Sequence, residues 1–325
     1  MLTRTDRPLV ETHDVLVLDL DGVVYRGPRA VPGAAAALEA ARSAQVAIAF
    51  VTNNAARTPA AVAEHLVALG VHAEPGDVVT SAQAAVRLLA QRVPPGSAVF
   101  VIGGEGLVVA LAERGLRAVT DVSGVPGEGP AAVVQGYGPD VPWRRVVEGA
   151  ILVRDGGLPW VASNTDLTIP TDRGIGPGNG TLVRLISEYA GRRPDVAGKP
   201  EPALFEETLD RIGGSRPLVV GDRLDTDVLG ARRAGTDSLL VLTGVTRLPE
   251  LLAAPPELRP TYVSADLRGL LVAHPEVVVD GDVARCRDAT AWCEGGHWRA
   301  SDDSDDGVRA QCALAWARPD LRSGS

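Results

Sequence analysis

Two carboxylates close an apolar run near the N-terminus: Val15 to Leu18 is followed by Asp19, Leu20, Asp21 and Gly22. On an extended chain, side chains two apart point to the same side, so both carboxylates would emerge together at a strand end. Asp-Gly between apolar runs is also a β-hairpin signal, and on these residues alone both readings stand. Other strand-like runs end in polar residues too. Val46 to Val51 leads into Thr52, Asn53 and Asn54. Leu218 to Val220 leads into Gly221 and Asp222, with Asp225 and Asp227 beyond, and Lys199 stands before Pro200 and a helix-like stretch. Each group is separately compatible with an ordinary turn or cap. If the strands are parallel, their ends share one edge of a sheet, and Asp19, Asp21, Thr52, Lys199 and Asp222 are expected to meet in one crevice.

Lys199 is the only lysine beside 31 arginines. An ammonium is a compact point charge and a guanidinium a wide planar fork, so a crowded anionic site accepts the first and not the second. A surface lysine left over from a codon bias towards arginine is the competing explanation. The acids raise a problem of their own, because two carboxylates about 4 Å apart repel by on the order of 4 kcal/mol at an effective dielectric of 20. Such a cluster takes up a proton or recruits a cation. Oxygen donors with no His or Cys among them favour Mg²⁺, which keeps waters and accepts phosphate oxygens. An EF-hand at Asp225 and Asp227 is excluded, since the next alternate position is Leu229 and the required glycine is absent.

The elements that must position these groups alternate. Strand-like runs at Val15–Leu18 and Val46–Val51 are separated by a helical stretch at Pro32–Arg42, and a second helix opens with Thr58 and Pro59. Strands separated by helices need crossover connections, which gives a parallel sheet covered on both faces. A second α/β set begins near Val99, and the first pattern then resumes. The fold expected is α/β: a doubly wound parallel-sheet, Rossmann-like core in two parts, residues 1–82 and 179–272, interrupted by an α/β cap at 83–178 and followed by a small C-terminal extension at 273–325. The glycines at Gly103 to Gly106 do not make a dinucleotide site, because Val109 stands where Gly or Ala is required.

Together, DLDGVVY, FVTNN, GKPEP and GDRLDTD, in that order, resemble motifs I to IV of the haloacid dehalogenase (HAD) superfamily of phosphohydrolases. The insert and the segments SNTD and PGNG are similar to the 4-nitrophenylphosphatase-like subgroup with a C2-type cap. The likeness covers roughly residues 12 to 272, and the tail is similar, more weakly, to the extension of some glycerol-3-phosphate phosphatases of that subgroup. The resemblance implies a nucleophilic Asp19 that forms an aspartyl-phosphate, and Asp21 as general acid and then base. It implies that Thr52, the backbone of Asn53 and Lys199 hold phosphate oxygens, and that Mg²⁺ is bound by Asp19, the Asp21 carbonyl and Asp222, with Asp227 behind them. Asn164, Asp166 and Asn179 are its candidates for a substrate loop. Val23 departs from the pattern, which often has Thr there. The substrate expected is a small phosphorylated metabolite, glycerol 3-phosphate first, with phosphoglycolate, pyridoxal phosphate or a nucleoside monophosphate as alternatives.

Other classes are disfavoured. A phospho-accepting signalling receiver also gathers acids, a Thr and a Lys, but it needs no cap and lacks an acid two residues after the nucleophile. A dehalogenase does not require Asp21. The net charge of −9, without a basic run, argues against nucleic acid as partner. No apolar stretch reaches membrane-spanning length and the N-terminus lacks a signal-peptide layout, so a cytoplasmic location is expected. The tail holds Cys286, Cys293 and Cys312. Their spacing with His297 lacks the close pair of thiolates that zinc needs, and reduced thiols are expected. The acidic run Ser301 to Asp306 reads as a solvated turn.

Overall fold

The computed structural model describes residues 2–123, 129–171 and 173–322, which divide into two compact units. One comprises Met1–Phe50, Leu66–His72 and Ile212–Ser325, the other Val51–His65 and Ala73–Arg211.

In the first unit the strands lie in the order Tyr262–Ser264, Asp237–Val241, Pro217–Gly221, Val15–Asp19 and Ala47–Thr52, the last running on into the second unit. Val15 to Leu18 pair in parallel with Pro217 to Val220, and the next two pairings are also parallel. The hairpin reading of Asp21-Gly22 is thereby excluded. Strands buried on both faces read as continuous apolar runs rather than alternating ones, and Val15, Leu16, Val17 and Leu18 are all buried. The helix Ala34–Ser43 buries Ala34, Ala37, Leu38 and Ala41, the 3.6-residue stripe that faces a sheet. From Val15–Asp19 the chain proceeds to one side of the sheet, and two hundred residues later it returns to the other. The order therefore reverses between Val15–Asp19 and Pro217–Gly221, and crevices at the carboxyl ends of strands open at such switch points.

The tail belongs to this unit. Val278–Asp280, Val283–Cys286, Ala289–Glu294 and His297–Ala300 form an antiparallel sheet in chain order. Its last turn uses Gly295 and Gly296, both at positive φ, as a tight two-residue hairpin requires. The helix Asp305–Ala317 lies between this sheet and the core. Ala310 and Leu314 pack with Ala284, Cys286 and Ala291, while Cys312, Ala315 and Trp316 pack with Val228, Leu240, Leu251 and Val263. Contrary to expectation, Ser301 to Asp306 is more than a solvated turn. Ser304 caps the helix by accepting from the Gly307 N–H at 3.2 Å, and Asp305 accepts from Ser264 Oγ at 2.6 Å and the Ala265 N–H at 2.8 Å. Acids in a first helical turn also complement the positive end of the helix dipole.

In the second unit the five strands Asp195–Val196, Trp160–Ala162, Ala132–Gln135, Ala98–Ile102 and Arg117–Val119 form a parallel sheet in that order. The helices Trp143–Arg154 and Asn179–Ala190 bury Val146, Val153, Val183 and Ile186 against Phe100, Ile102, Val133 and Trp160. An antiparallel hairpin, Thr168–Thr171 with Gly174–Pro177, leads into the second of them. No helix among the described residues is long and apolar enough to cross a membrane.

Candidate active site

At the switch point of the first unit, carboxylate oxygens of Asp19, Asp222 and Asp227 lie within 4.8 Å of one another. Each is there for a local reason. Asp19 ends its strand, and Asp222 follows the last residue of the neighbouring one. Asp227 lies in a π-helical turn, Leu224–Val228, that brings it back under the strand end. There its Oδ2 accepts from the N–H groups of Asp222 (3.2 Å) and Arg223 (3.1 Å). Asp222 is fully buried and its Oδ2 accepts from the Val245 N–H at 2.5 Å.

Three glycines shape this cradle. A Cβ on Gly244 would lie 1.9 Å from Asp222 Oδ2, and one on Gly22 would lie 2.5 Å from the same atom. One on Gly221 would lie 2.2 Å from Asp227 Cβ. Gly22 also has φ +92°, which side-chain-bearing residues rarely adopt. Gly22 and Gly221 fall inside recognisable motifs. Gly244 does not, and no signal in the sequence marks it. Asp21 is exposed just past the strand, where it bridges to Tyr25. Asp225 turns outward and pairs bidentately with Arg223 at 3.0 and 2.8 Å, which holds its carboxyl below the usual range.

In the second unit the remaining sequence candidates meet around Asn53. Its Oδ1 accepts from the Lys199 N–H at 2.8 Å, and its Nδ2 donates to the Lys199 carbonyl at 3.0 Å and to Asp166 Oδ2 at 3.1 Å. Its own carbonyl accepts from Asn164 Nδ2 and Ser81 Oγ, both at 2.6 Å. Asn179 Nδ2 in turn donates to the Asn164 carbonyl at 2.7 Å, and Asn164 Oδ1 accepts from the Asp166 N–H at 3.1 Å. Asn164 and Asn179 are buried, and their amides hold the 163–166 loop to its surroundings. Thr52 Oγ1 accepts from the Asn54 N–H at 3.1 Å. Gly198 permits the close approach, since a Cβ there would be 2.5 Å from Asn53 Oδ1 and from the Ser163 carbonyl. Lys199 is 4% exposed, so the surface-lysine explanation is excluded. Sequence reasoning expected the Asn53 backbone to matter. Its side chain as the hub was missed, because an Asn in a TNN run has the composition of any turn.

All three cysteines are free thiols, with Cys286 and Cys312 buried. Burial, with Asp306 adding to it, pushes the Cys286 thiol up to about 12, and burial raises Cys312 further.

A cluster of carboxylate oxygens, with no nitrogen or sulfur donor, at the switch point of a parallel sheet fits a hard divalent cation. Residues 16–117 match the haloacid dehalogenase-like hydrolase family and residues 196–270 the HAD-hydrolase-like family. The chain is 42% identical over 319 residues to the D-glycerol 3-phosphate phosphatase of Mycobacterium tuberculosis, covering 95% of this chain and 88% of that protein. It is similar to the crystal structure of a glycerol phosphate phosphatase from that organism in complex with magnesium. There the TM-score is 0.83 and the identity 40%, over 96% of this chain and 92% of that one. It is also similar to a 4-nitrophenylphosphatase from Thermotoga maritima, with TM-score 0.73 and 29% identity, over 81% of this chain and 98% of that one. The chain belongs to the haloacid dehalogenase-like hydrolases.

Proposed function

We propose that this protein hydrolyses phosphomonoesters of small metabolites with Mg²⁺, by way of an aspartyl-phosphate on Asp19, and that glycerol 3-phosphate is its substrate. The observation that carries the reading is the carboxylate triad of Asp19, Asp222 and Asp227. The names of its relatives support the choice of substrate.

In the first half-reaction an Asp19 oxygen attacks phosphorus in line, the ester P–O bond breaks, and Asp21 gives its proton to the departing alkoxide. In the second, Asp21 takes a proton from a water whose oxygen attacks the aspartyl-phosphate, and inorganic phosphate leaves as the Asp19 carboxylate is regenerated. Asp21 suits proton transfer because it is exposed beside the strand end that carries the nucleophile. Asp19, Asp222 and the Asp21 carbonyl would hold Mg²⁺, with Asp227 fixing the loop behind Asp222. When bound, the ion neutralises carboxylate and phosphate charge together. To Lys199 and Thr52 we assign the phosphate oxygens, and to Asn53 the placing of Lys199 through its two backbone bonds. Among the loop candidates Asp166 is assigned to the substrate, since the amides of Asn164 and Asn179 are engaged with backbone.

The experiment is a panel of phosphomonoesters assayed with Mg²⁺ and with chelator: glycerol 3-phosphate, sugar phosphates, phosphoglycolate, pyridoxal phosphate, nucleoside monophosphates and 4-nitrophenyl phosphate. Glycerol 3-phosphate is expected to show the highest kcat/KM, and Asp19→Asn no turnover. Activity that survives Asp19→Asn, or that ignores the chelator, refutes the mechanism.

A further inference from the structure

The glycine that the carboxylate cradle demands loosens the turn behind the acid. Gly22 directly follows Asp21, and a Cβ there would lie 2.5 Å from Asp222 Oδ2, so no larger residue fits. At φ +92° a glycine rests without strain, but it leaves the peptide units on either side of it free to rotate. The turn restrains one of them by itself. The Gly22 N–H donates to the Tyr25 carbonyl at 2.7 Å, and the Leu20 carbonyl accepts from the N–H groups of Val23, Val24 and Tyr25 at 3.3, 2.9 and 3.1 Å. The next two side chains, Val23 and Val24, are buried and apolar and offer the Gly22 carbonyl no donor.

That donor comes from another strand end. The half-buried Thr243 hydroxyl donates to the Gly22 carbonyl at 2.5 Å, across 221 positions of chain. Thr243 lies just past the strand Asp237–Val241, in a segment bound on both sides of it. Before it, the Leu242 N–H donates to the Ser264 carbonyl at 3.1 Å. After it, the Val245 N–H donates to Asp222 Oδ2 at 2.5 Å and the Thr246 N–H to the Asp222 carbonyl at 3.1 Å. The hydroxyl is therefore carried on backbone that Asp222 itself fixes, and it restrains the peptide unit that Gly22 leaves loose. A carboxyl that transfers protons must stay within hydrogen-bond reach of the leaving oxygen and of the attacking water. A misplacement of about 1 Å costs on the order of 100-fold.

We propose that Thr243 is a positioning residue for Asp21: by pinning the Gly22 carbonyl, its hydroxyl holds the backbone of the acid, and with it the carboxyl, at the end of the nucleophile's strand. This rests on the assignment of Asp21 as general acid and base.

Steady-state kinetics of Thr243→Val, Thr243→Ser and Asp21→Asn test it on two substrates: 4-nitrophenyl phosphate, and the alkyl phosphate that the panel ranks first, expected to be glycerol 3-phosphate. The ratio kcat/KM covers the steps up to departure of the leaving group. An alkoxide is a strong base and leaves with a proton from Asp21, whereas 4-nitrophenolate is a weak base and leaves without one. Thr243→Val keeps the shape and loses the hydroxyl. It is expected to lower kcat/KM about 30-fold for the alkyl ester and no more than about threefold for 4-nitrophenyl phosphate. Thr243→Ser should restore the wild-type values. Asp21→Asn should show the same split more steeply, with a loss of about 10²–10⁴-fold on the alkyl ester. A Thr243→Val loss equal on the two substrates, as a general loosening of the metal cradle would give, overturns the proposal. So does a Thr243→Val variant that matches the wild type, or a loss that Thr243→Ser does not rescue. If Asp21→Asn shows the split and Thr243→Val does not, the role of Thr243 alone fails. If Asp21→Asn shows none, the assignment of Asp21 falls and the role of Thr243 with it.

Discussion

Replacing Asp222 with Asn removes one of three negative charges from a pocket whose carboxylate oxygens lie within 4.8 Å of one another. At that distance and an effective dielectric of about 20, each pair repels by about 3.5 kcal/mol, and Asp222 takes part in two pairs. Solvent screening at Asp19, which is only half-buried, takes back part of this. Weakening the bond from the Val245 N–H, made to a charged acceptor in the wild type, takes back about 1–2 kcal/mol more. A proton taken up by the metal-free cluster relieves part of the repulsion as well, and the balance leaves the metal-free variant more stable than the wild type by about 1–2 kcal/mol, a rise in Tm of roughly 3 °C. The wild type, in turn, should be stabilised by about 2.7 kcal/mol when Mg²⁺ reaches 100 times its Kd, and the variant should lose that response. Differential scanning fluorimetry in chelator and across a Mg²⁺ titration reads both effects without reference to activity. A variant that melts below the wild type in chelator and keeps the full Mg²⁺ shift refutes the view that Asp222 is a metal-holding carboxylate in a self-repelling cluster.

Lys199→Arg conserves charge but places a wide fork at a position that is 4% exposed. We expect kcat to fall about 10²–10³-fold, and activity within a few-fold of wild type would remove Lys199 from the chemistry. His274 is buried, and its Nε2–H donates to the Gly269 carbonyl at 2.9 Å. Burial, which outweighs that bond, and the nearby Arg309 lower its pKa to about 4. The unfolded chain therefore binds a proton near pH 6.5 that the folded chain refuses. The stability involved is complete above that pH and lost as pH falls towards 4, at a cost of roughly 3 kcal/mol. His274→Gln should flatten urea midpoints across this window, and an unchanged slope would assign the acid sensitivity elsewhere. Alkylation of the native protein at mild alkaline pH should label Cys293 first, with Cys286 and Cys312 reacting only on unfolding, as peptide mapping would show.

Much of the site was legible because parallel strands deliver their ends to one edge, so the acids after Val15–Leu18 and Leu218–Val220 could be paired from their flanking runs alone. The resemblance of four ordered motifs added roles that spacing does not supply. What stayed hidden depended on distance rather than residue type. Gly244 looks like any turn glycine, and only the 1.9 Å approach to Asp222 that a Cβ there would make identifies its task. Asn164 and Asn179 sit in SNTD and PGNG, whose composition is that of turns, and their role lies in which carbonyls they reach. The helix Asp305–Ala317 escaped notice for a different reason. It is buried on two sides, from Gly307 to Trp316 at nearly every position, so it lacks the polar face whose period betrays a helix.

That placement of Asp305–Ala317 has a bearing on how the polypeptide is made. Leu240, Leu251 and Val263 are coated by Cys312, Ala315 and Trp316, translated 49 or more positions later. A nascent chain halted before them presents bare aliphatic surface along a sheet margin, the kind of exposure that draws chaperones or leads to aggregation. Burial of that one margin of the sheet thus waits until the helix Asp305–Ala317 has been synthesised.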